Sequence, residues 1–183
     1  MAANLAGKQT NLVVRQSSAE ECIQNPDSVD LVTCGTSFHW MDGPRVLESV
    51  ARWLRPSGVL AAYLYWLPKL PAAEQAIFDR EMEFHWRHFR HPRLRDVDYT
   101  RRTISACPSL ARVEAINIPY SVSLSPQELT GFCGSTSYAS KYLRTLEQPD
   151  AYLHALEFAF HQASDGQRIP LDLPIELLLA RKA

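Results

Sequence analysis

The sequence predicts an α/β fold in a single domain over residues 1–183: a partly parallel sheet with helices packed on it and a helical cap. Three stretches carry that prediction. The run "VLAAYLYW" (59–66) is apolar without interruption, the pattern of a strand buried on both faces of a parallel sheet. Ahead of it, Val46, Leu47, Val50, Trp53 and Leu54 recur at helical spacing, with Pro44 and Gly58 near the two ends of the helix. Earlier still, Val29, Leu31 and Val32 make a short apolar strand that runs into "TCGTSFHW". Strand, helix and strand in that order form the right-handed crossover from which α/β sheets are built.

The other elements follow in order. "NLVVRQSS" reads as a strand over 11–15 closed by serines, and "NPDS" as a turn. Past "LPKLP", a helix of about five turns is expected from Ala72 to Arg90, with Phe78, Met82, Trp86 and Phe89 as its apolar stripe. "HPRLRDVDYTRR" is a surface loop with a helical turn. "ARVEAINIPYSVSLS" alternates from Val113 to Leu124 as one long strand. Ser125, Pro126 and Glu128 then place a capping serine, an N1 proline and an N3 glutamate at a helix start. Helices over 135–147 and 150–163 and a strand over 175–180 complete the chain, so the cap helices occupy about 71–105 and 126–164.

Composition excludes several classes. A net charge of −1 gives nucleic acid or an anionic membrane no electrostatic hold, and neither is expected as a partner. No apolar run approaches the ~20 residues of a membrane span. The N-terminus has no charged region followed by an apolar core, so the expected location is the cytoplasm. Cys22, Cys34, Cys107 and Cys133 form no CxxC pair and are expected as free thiols.

Together, "SSAEEC", "SVDLVTCGTSFHWMD" and "VLESVARWLRPSGVLAAYLYW" resemble the class I S-adenosylmethionine-dependent methyltransferases. The similarity is to the small-molecule branch that includes trans-aconitate methyltransferase (methyltransferase type 11), and "LSPQELTGF" and "STSYASKYL" resemble that branch's cap. The resemblance implies a Rossmann-like sheet of order 3-2-1-4-5-7-6. Against it, this chain reads as N-terminally shortened, a partial sheet lacking the first two strands and the glycine-rich GxGxG turn. "MAANLAGKQT", with Gly7, would be the tail of the helix leading into the third strand. In the family the glycine turn lets backbone approach the cofactor and an acidic residue takes the ribose hydroxyls. What the resemblance leaves for the cofactor is Ala19 and Glu20 near the adenine and Cys34 and Gly35 near the methionine end. S-adenosylmethionine is therefore expected only if methyl transfer holds, and no other cofactor. Without its central neighbours the strand Val29–Thr33 would be a bare edge. The expected repair is either pairing with Leu12–Arg15 or a homodimer across Val29–Thr33.

His39 and Trp40 stand just past the carboxyl end of a strand, where open α/β sheets place ligands. His39 is the candidate acid/base, since an imidazole titrates near ~6.5. Trp40, Tyr65, Trp66, Trp86 and Tyr138, with Ser137 beside the last, are candidate walls of a pocket for an apolar small molecule. His85, His88 and His91 fan too widely around a helix to converge on zinc, and no metal is expected. The basic run from Arg87 to Arg102 could dock an acidic ligand, but reads first as a solvated face balanced by Glu81, Glu83, Asp96 and Asp98. The foremost functional reading is a cofactor-independent enzyme performing cyclisation, dehydration or isomerisation by acid/base catalysis, as in secondary metabolism. The alternatives are an S-adenosylmethionine-dependent small-molecule O-methyltransferase, its cofactor bound unusually or at a dimer interface, and a non-catalytic partner of a full-length relative.

Overall fold

A computed structural model of the chain describes residues 11–96 and 98–183. The helix tail expected around Gly7 lies outside the described residues. Strand β1 (Val29–Gly35) leads through a 3-10 turn at Phe38–Trp40 into helix α1 (Gly43–Trp53) and strand β2 (Leu54–Tyr65). After helix α2 (Ala72–Glu81) come helix α3 (Tyr99–Ser105) and strands β3 (Leu110–Ile118) and β4 (Ser121–Leu124). Helices α4 (Pro126–Ser135), α5 (Ser137–Leu143) and α6 (Pro149–Ala163) precede strands β5 (Ile169–Asp172) and β6 (Ile175–Lys182).

The main sheet has the order β1-β2-β6-β3, with β1 and β2 parallel and β6 antiparallel to both β2 and β3. This is the 4-5-7-6 half of the order expected from the resemblance. Helices α1 and α3 cover one face, where Val50, Leu54, Leu60, Ile104 and Ala180 are fully buried or nearly so. Each of the valine, leucine and isoleucine side chains contributes about 1.5–3 kcal/mol on burial. The expectation that "VLAAYLYW" is buried on both faces is corrected: Tyr63 and Tyr65 on β2, with Ile116 and Ile118 on β3, stay exposed on the other face. Alternation along a strand sends every second side chain there, where Tyr65 meets Phe132 of α4 and still keeps 40% of its surface exposed.

Residues 11–15 form no strand. Leu12, Val13 and Val14 are exposed in irregular chain, so the expected pairing of Leu12–Arg15 with Val29–Thr33 is not made. A β-branched run is a strand only when a neighbouring edge accepts it. Among the described residues the outer edge of β1 has no strand partner.

The cap has its own core. Phe78, Trp86, Leu129, Cys133, Phe160 and Leu171 are fully buried together. The single helix expected from Ala72 to Arg90 is broken: α2 widens into a π-helical turn at Met82–Trp86, then tightens to a 3-10 turn at Arg87–Phe89. The long strand expected over 113–124 splits at Pro119–Tyr120, β3 staying in the main sheet and β4 pairing with β5 in a two-stranded sheet under the cap. Proline offers no N–H to continue a ladder. Helix α5 stops at Leu143, short of the expected 147.

The capping box at α4 is complete: Glu128 N–H donates to Ser125 Oγ (3.1 Å), and Ser125 N–H donates to Glu128 Oε2 (2.7 Å). Ser125→Ala is expected to lower stability by about 1 kcal/mol, read as a lower urea midpoint with unchanged slope.

Candidate active site

A cleft of about 170 Å³ opens where the carboxyl ends of β1 and β2 meet the cap. Its sheet side is built by local strain and packing. At the end of β1, Thr36 takes a left-handed backbone (φ 47°) while its N–H donates to Tyr63 O at 2.8 Å. That bend turns the chain off the sheet and into the 3-10 turn that carries His39 and Trp40. Gly35 is required here, because the Tyr63 ring lies so close that any side chain would collide with it.

His39 is buried, its ring 4.9 Å from that of Trp40 and 5.7 Å from that of His91. Burial, with His91, Arg93 and Arg90 nearby, pushes its pKa down from 6.5 to about 4, so the imidazole is neutral at pH 7. Trp40 is half exposed at the rim, edge-on to His91 at 4.6 Å and beneath the Lys141 ammonium at 4.9 Å. Tyr65 and Trp66 at the end of β2 form the floor, Tyr65 facing Phe132 of α4 with ring centres 6.4 Å apart. Tyr138 closes the cap side, and burial pushes its phenol up to about 12. Ser137 also lines the cleft.

His39, Trp40, Tyr65, Trp66 and Tyr138 thus share one cleft. Trp86 does not: it lies fully buried beneath Tyr138, ring centres 6.0 Å apart, and supports the wall without forming it. Arg90 is the residue that sequence reasoning missed. Along the basic run, Arg87 pairs with Glu83 (3.0 Å), Arg102 with Asp96 (2.5 Å) and Arg101 with Glu176. Arg90 instead turns inward and lines the cleft, its Nε buried without a hydrogen-bond partner and its pKa lowered by burial. The reading of the run as a solvated face holds for the paired arginines and fails for this one. The cleft lining contains no Asp or Glu. A half-buried arginine with no acid beside it has donors left over for an anion. The break in helical phase at Met82–Trp86 turns Arg90 inward, and periodicity carries no signal of it.

The three histidines diverge. His85 stacks on Tyr142 (5.0 Å) and lies 3.8 Å from the buried Glu81, whereas His91 turns to Trp40. Among the described residues no cluster of His, Cys, Asp and Glu could hold a metal ion, and no helix is long and apolar enough to cross a membrane. All four cysteines are free.

The depressed His39 pKa has a consequence for stability. Above pH 6.5 neither the native nor the unfolded chain protonates this ring. Between 6.5 and about 4 the unfolded chain takes up a proton that the native fold refuses, so stability falls as pH falls. The full loss is about 3 kcal/mol. Urea unfolding at pH 7 and pH 4.5 should show most of it, and His39→Gln should flatten that part of the profile.

The family model for the methyltransferase domain matches residues 1–62. A protein of Dictyostelium discoideum described as a methyltransferase is 24% identical over 183 residues, 97% of this chain and 69% of its own length. An uncharacterized methyltransferase of Schizosaccharomyces pombe is 40% identical over 57 residues, 31% of this chain and 23% of its own. By these matches the chain is similar to methyltransferases, most directly over its first 62 residues. A structure described as that of a type II methyltransferase from Anaeromyxobacter dehalogenans superposes with a TM-score of 0.67 at 21% identity, over 90% of this chain and 69% of that one, and shares its fold.

The four residues expected at the cofactor do not by themselves fit S-adenosylmethionine. The Glu20 carboxylate accepts the Asp42 N–H at 2.7 Å, which holds its pKa below the usual range and ties it to the start of α1. Cys34 is buried in the sheet core, Gly35 is covered by Tyr63, and Ala19 packs against the core beside α1. None of the four lines the cleft.

Proposed function

We propose that the cleft is the substrate site of a small-molecule enzyme, that its substrate is an apolar molecule ending in a carboxylate, and that the chemistry is proton transfer at His39 without methyl transfer. The observation that carries the reading is Arg90, a half-buried cation with an unpartnered Nε in a lining free of acids. Trp40, Tyr65, Trp66, Phe132 and Tyr138 supply the apolar walls.

The proton chemistry follows from charge. With the cleft empty, His39 at about 4 is a weak base, partly because Arg90, Arg93 and His91 oppose its protonation. Burial, the largest cause of the shift, stays, but a carboxylate bound at Arg90 opposes the charge repulsion and favours the imidazolium, which raises the pKa. His39 then works as an acid/base when substrate is present, which suits isomerisation, dehydration or cyclisation.

A second reading is O-methylation of the same acid with S-adenosylmethionine. The methyltransferase-domain match over 1–62, which spans β1, α1 and most of β2, favours it. An ionised carboxylate is already a nucleophile and needs no base. Association of two copies through the unpaired edge Val29–Thr33 is part of the proposal, supported by Leu31 standing exposed there, and sedimentation at micromolar protein checks it.

The test is calorimetric titration with S-adenosylmethionine, S-adenosylhomocysteine and phenylacetate, joined to an NMR titration of His39. Phenylacetate binding that raises the His39 pKa, with no heat from either cofactor form, is the expected result. Micromolar cofactor binding would put methyl transfer first. Absence of phenylacetate binding at millimolar concentration would overturn the acidic substrate.

A further inference from the structure

The turn that carries His39 and Trp40 is only three residues long, and its own backbone bonds are Trp40 N–H to Ser37 O (2.9 Å) and Met41 N–H to Phe38 O (3.1 Å). So short a turn is oriented by whatever grips it from outside. One residue does so from two sides. The Arg93 guanidinium donates from Nη1 to His39 O at 3.3 Å and to Met41 O, bridging across Trp40. Its Cζ lies 5.0 Å from the centre of the Tyr99 ring of α3. The Arg93 backbone N–H donates to His91 Nδ1 at 3.3 Å, and that ring meets Trp40 edge-on. Both histidines whose rings neighbour Trp40, His39 and His91, are therefore bonded to residue 93.

We propose that Arg93 is the positioning residue of the cleft, stapling the His39–Met41 turn to the loop at Pro92–Leu94 and so setting where His39 and Trp40 stand. The proposal rests on the cleft being the substrate site. It does not rest on Arg93 touching substrate: Arg93 lies outside the main cleft and lines a chamber of about 20 Å³ behind His39. Lysine keeps the charge but lacks the delocalised guanidinium that lies over Tyr99 while Nη1 reaches the two carbonyls, so it is the conservative test of this contact.

The experiment compares Arg93→Lys and Tyr99→Leu with wild type in three readouts: phenylacetate affinity by calorimetry, acrylamide quenching of tryptophan fluorescence, and the His39 ring resonance. Of the four tryptophans, Trp40 is the exposed one that acrylamide reaches most readily. Arg93→Lys is expected to weaken phenylacetate about tenfold, to raise quenching and to move the His39 resonance. Tyr99→Leu, which removes the platform and leaves the guanidinium, should shift all three in the same direction by less. Wild-type values in Arg93→Lys would overturn the proposal. If that variant does not fold, wild-type values in Tyr99→Leu would overturn it instead. Should wild-type protein bind no phenylacetate, the acidic-substrate reading fails, and the fluorescence and NMR readouts still decide the role of Arg93.

Discussion

Arg90→Met is expected to weaken phenylacetate binding roughly 10–100-fold while leaving the fold as stable as before or more so. Charge-assisted hydrogen bonds from a guanidinium to a carboxylate are worth about 1.5–3 kcal/mol, and ~1.4 kcal/mol is tenfold in affinity. The stability half of the prediction comes from the empty cleft. There Arg90 is half buried with its Nε unpartnered, and burial lowers its pKa, so the native fold carries a desolvation cost with no ion pair to offset it. Methionine keeps much of the stem's volume and removes the charge. Calorimetry and urea unfolding on the same preparation test both halves. Unchanged affinity would remove Arg90 from the site, and a large loss of stability would mean that it serves the cap's architecture.

Trp86→Ala should be among the most damaging single substitutions in the chain. Trp86 is fully buried, edge-on to Phe78 at 5.6 Å and 6.0 Å from Tyr138. Truncating a buried tryptophan or phenylalanine to alanine costs about 3–5 kcal/mol, the lost transfer energy plus the cavity left behind. Here the cavity would open directly beneath Tyr138, so ligand binding should fail together with stability. Trp86→Phe separates the two. It keeps an aromatic ring under Tyr138 and deletes an indole N–H that has no partner, and should cost far less. Urea unfolding of the two variants is the check. Equal losses for alanine and phenylalanine would show that shape at the π-helical turn matters more than filled volume.

The two residues differ in how far the sequence exposed them. Trp86 stood out as a large aromatic on an apolar stripe, and the stripe is real: Phe78 and Trp86 are both fully buried. Its role was misassigned to a pocket wall because a stripe shows that a side chain is covered but not by what. Arg90 was hidden inside a basic run in which Arg87, Arg101 and Arg102 do what such runs do, pairing with Glu83, Glu176 and Asp96. Arg93, equally hidden, owes its place to carbonyls some fifty positions away in sequence. No periodicity encodes such a contact.

The strand-end residues were legible for a different reason. His39, Trp40, Tyr65 and Trp66 follow directly on apolar strands, and parallel strands end at the same side of a sheet, so residues distant in sequence converge there by topology alone. The Ser125 capping box was legible because all its atoms come from four consecutive residues.

What the sequence by itself determined is whatever is local or periodic: β1, α1 and β2, helix α6, the capped start of α4, and the strand ends that line the cleft. What only the tertiary structure decided is pairing and direction. It left 11–15 without a strand to join, split 113–124 between two sheets, and broke one helix into α2 and two irregular turns. Through that break it aimed Arg90 into the cleft and brought Arg93 beneath His39. The physical reason is the same in each case. A β-strand needs a partner edge, a buried charge needs a cavity, and an arginine fork needs acceptors, and each of those is supplied by chain elsewhere in the sequence.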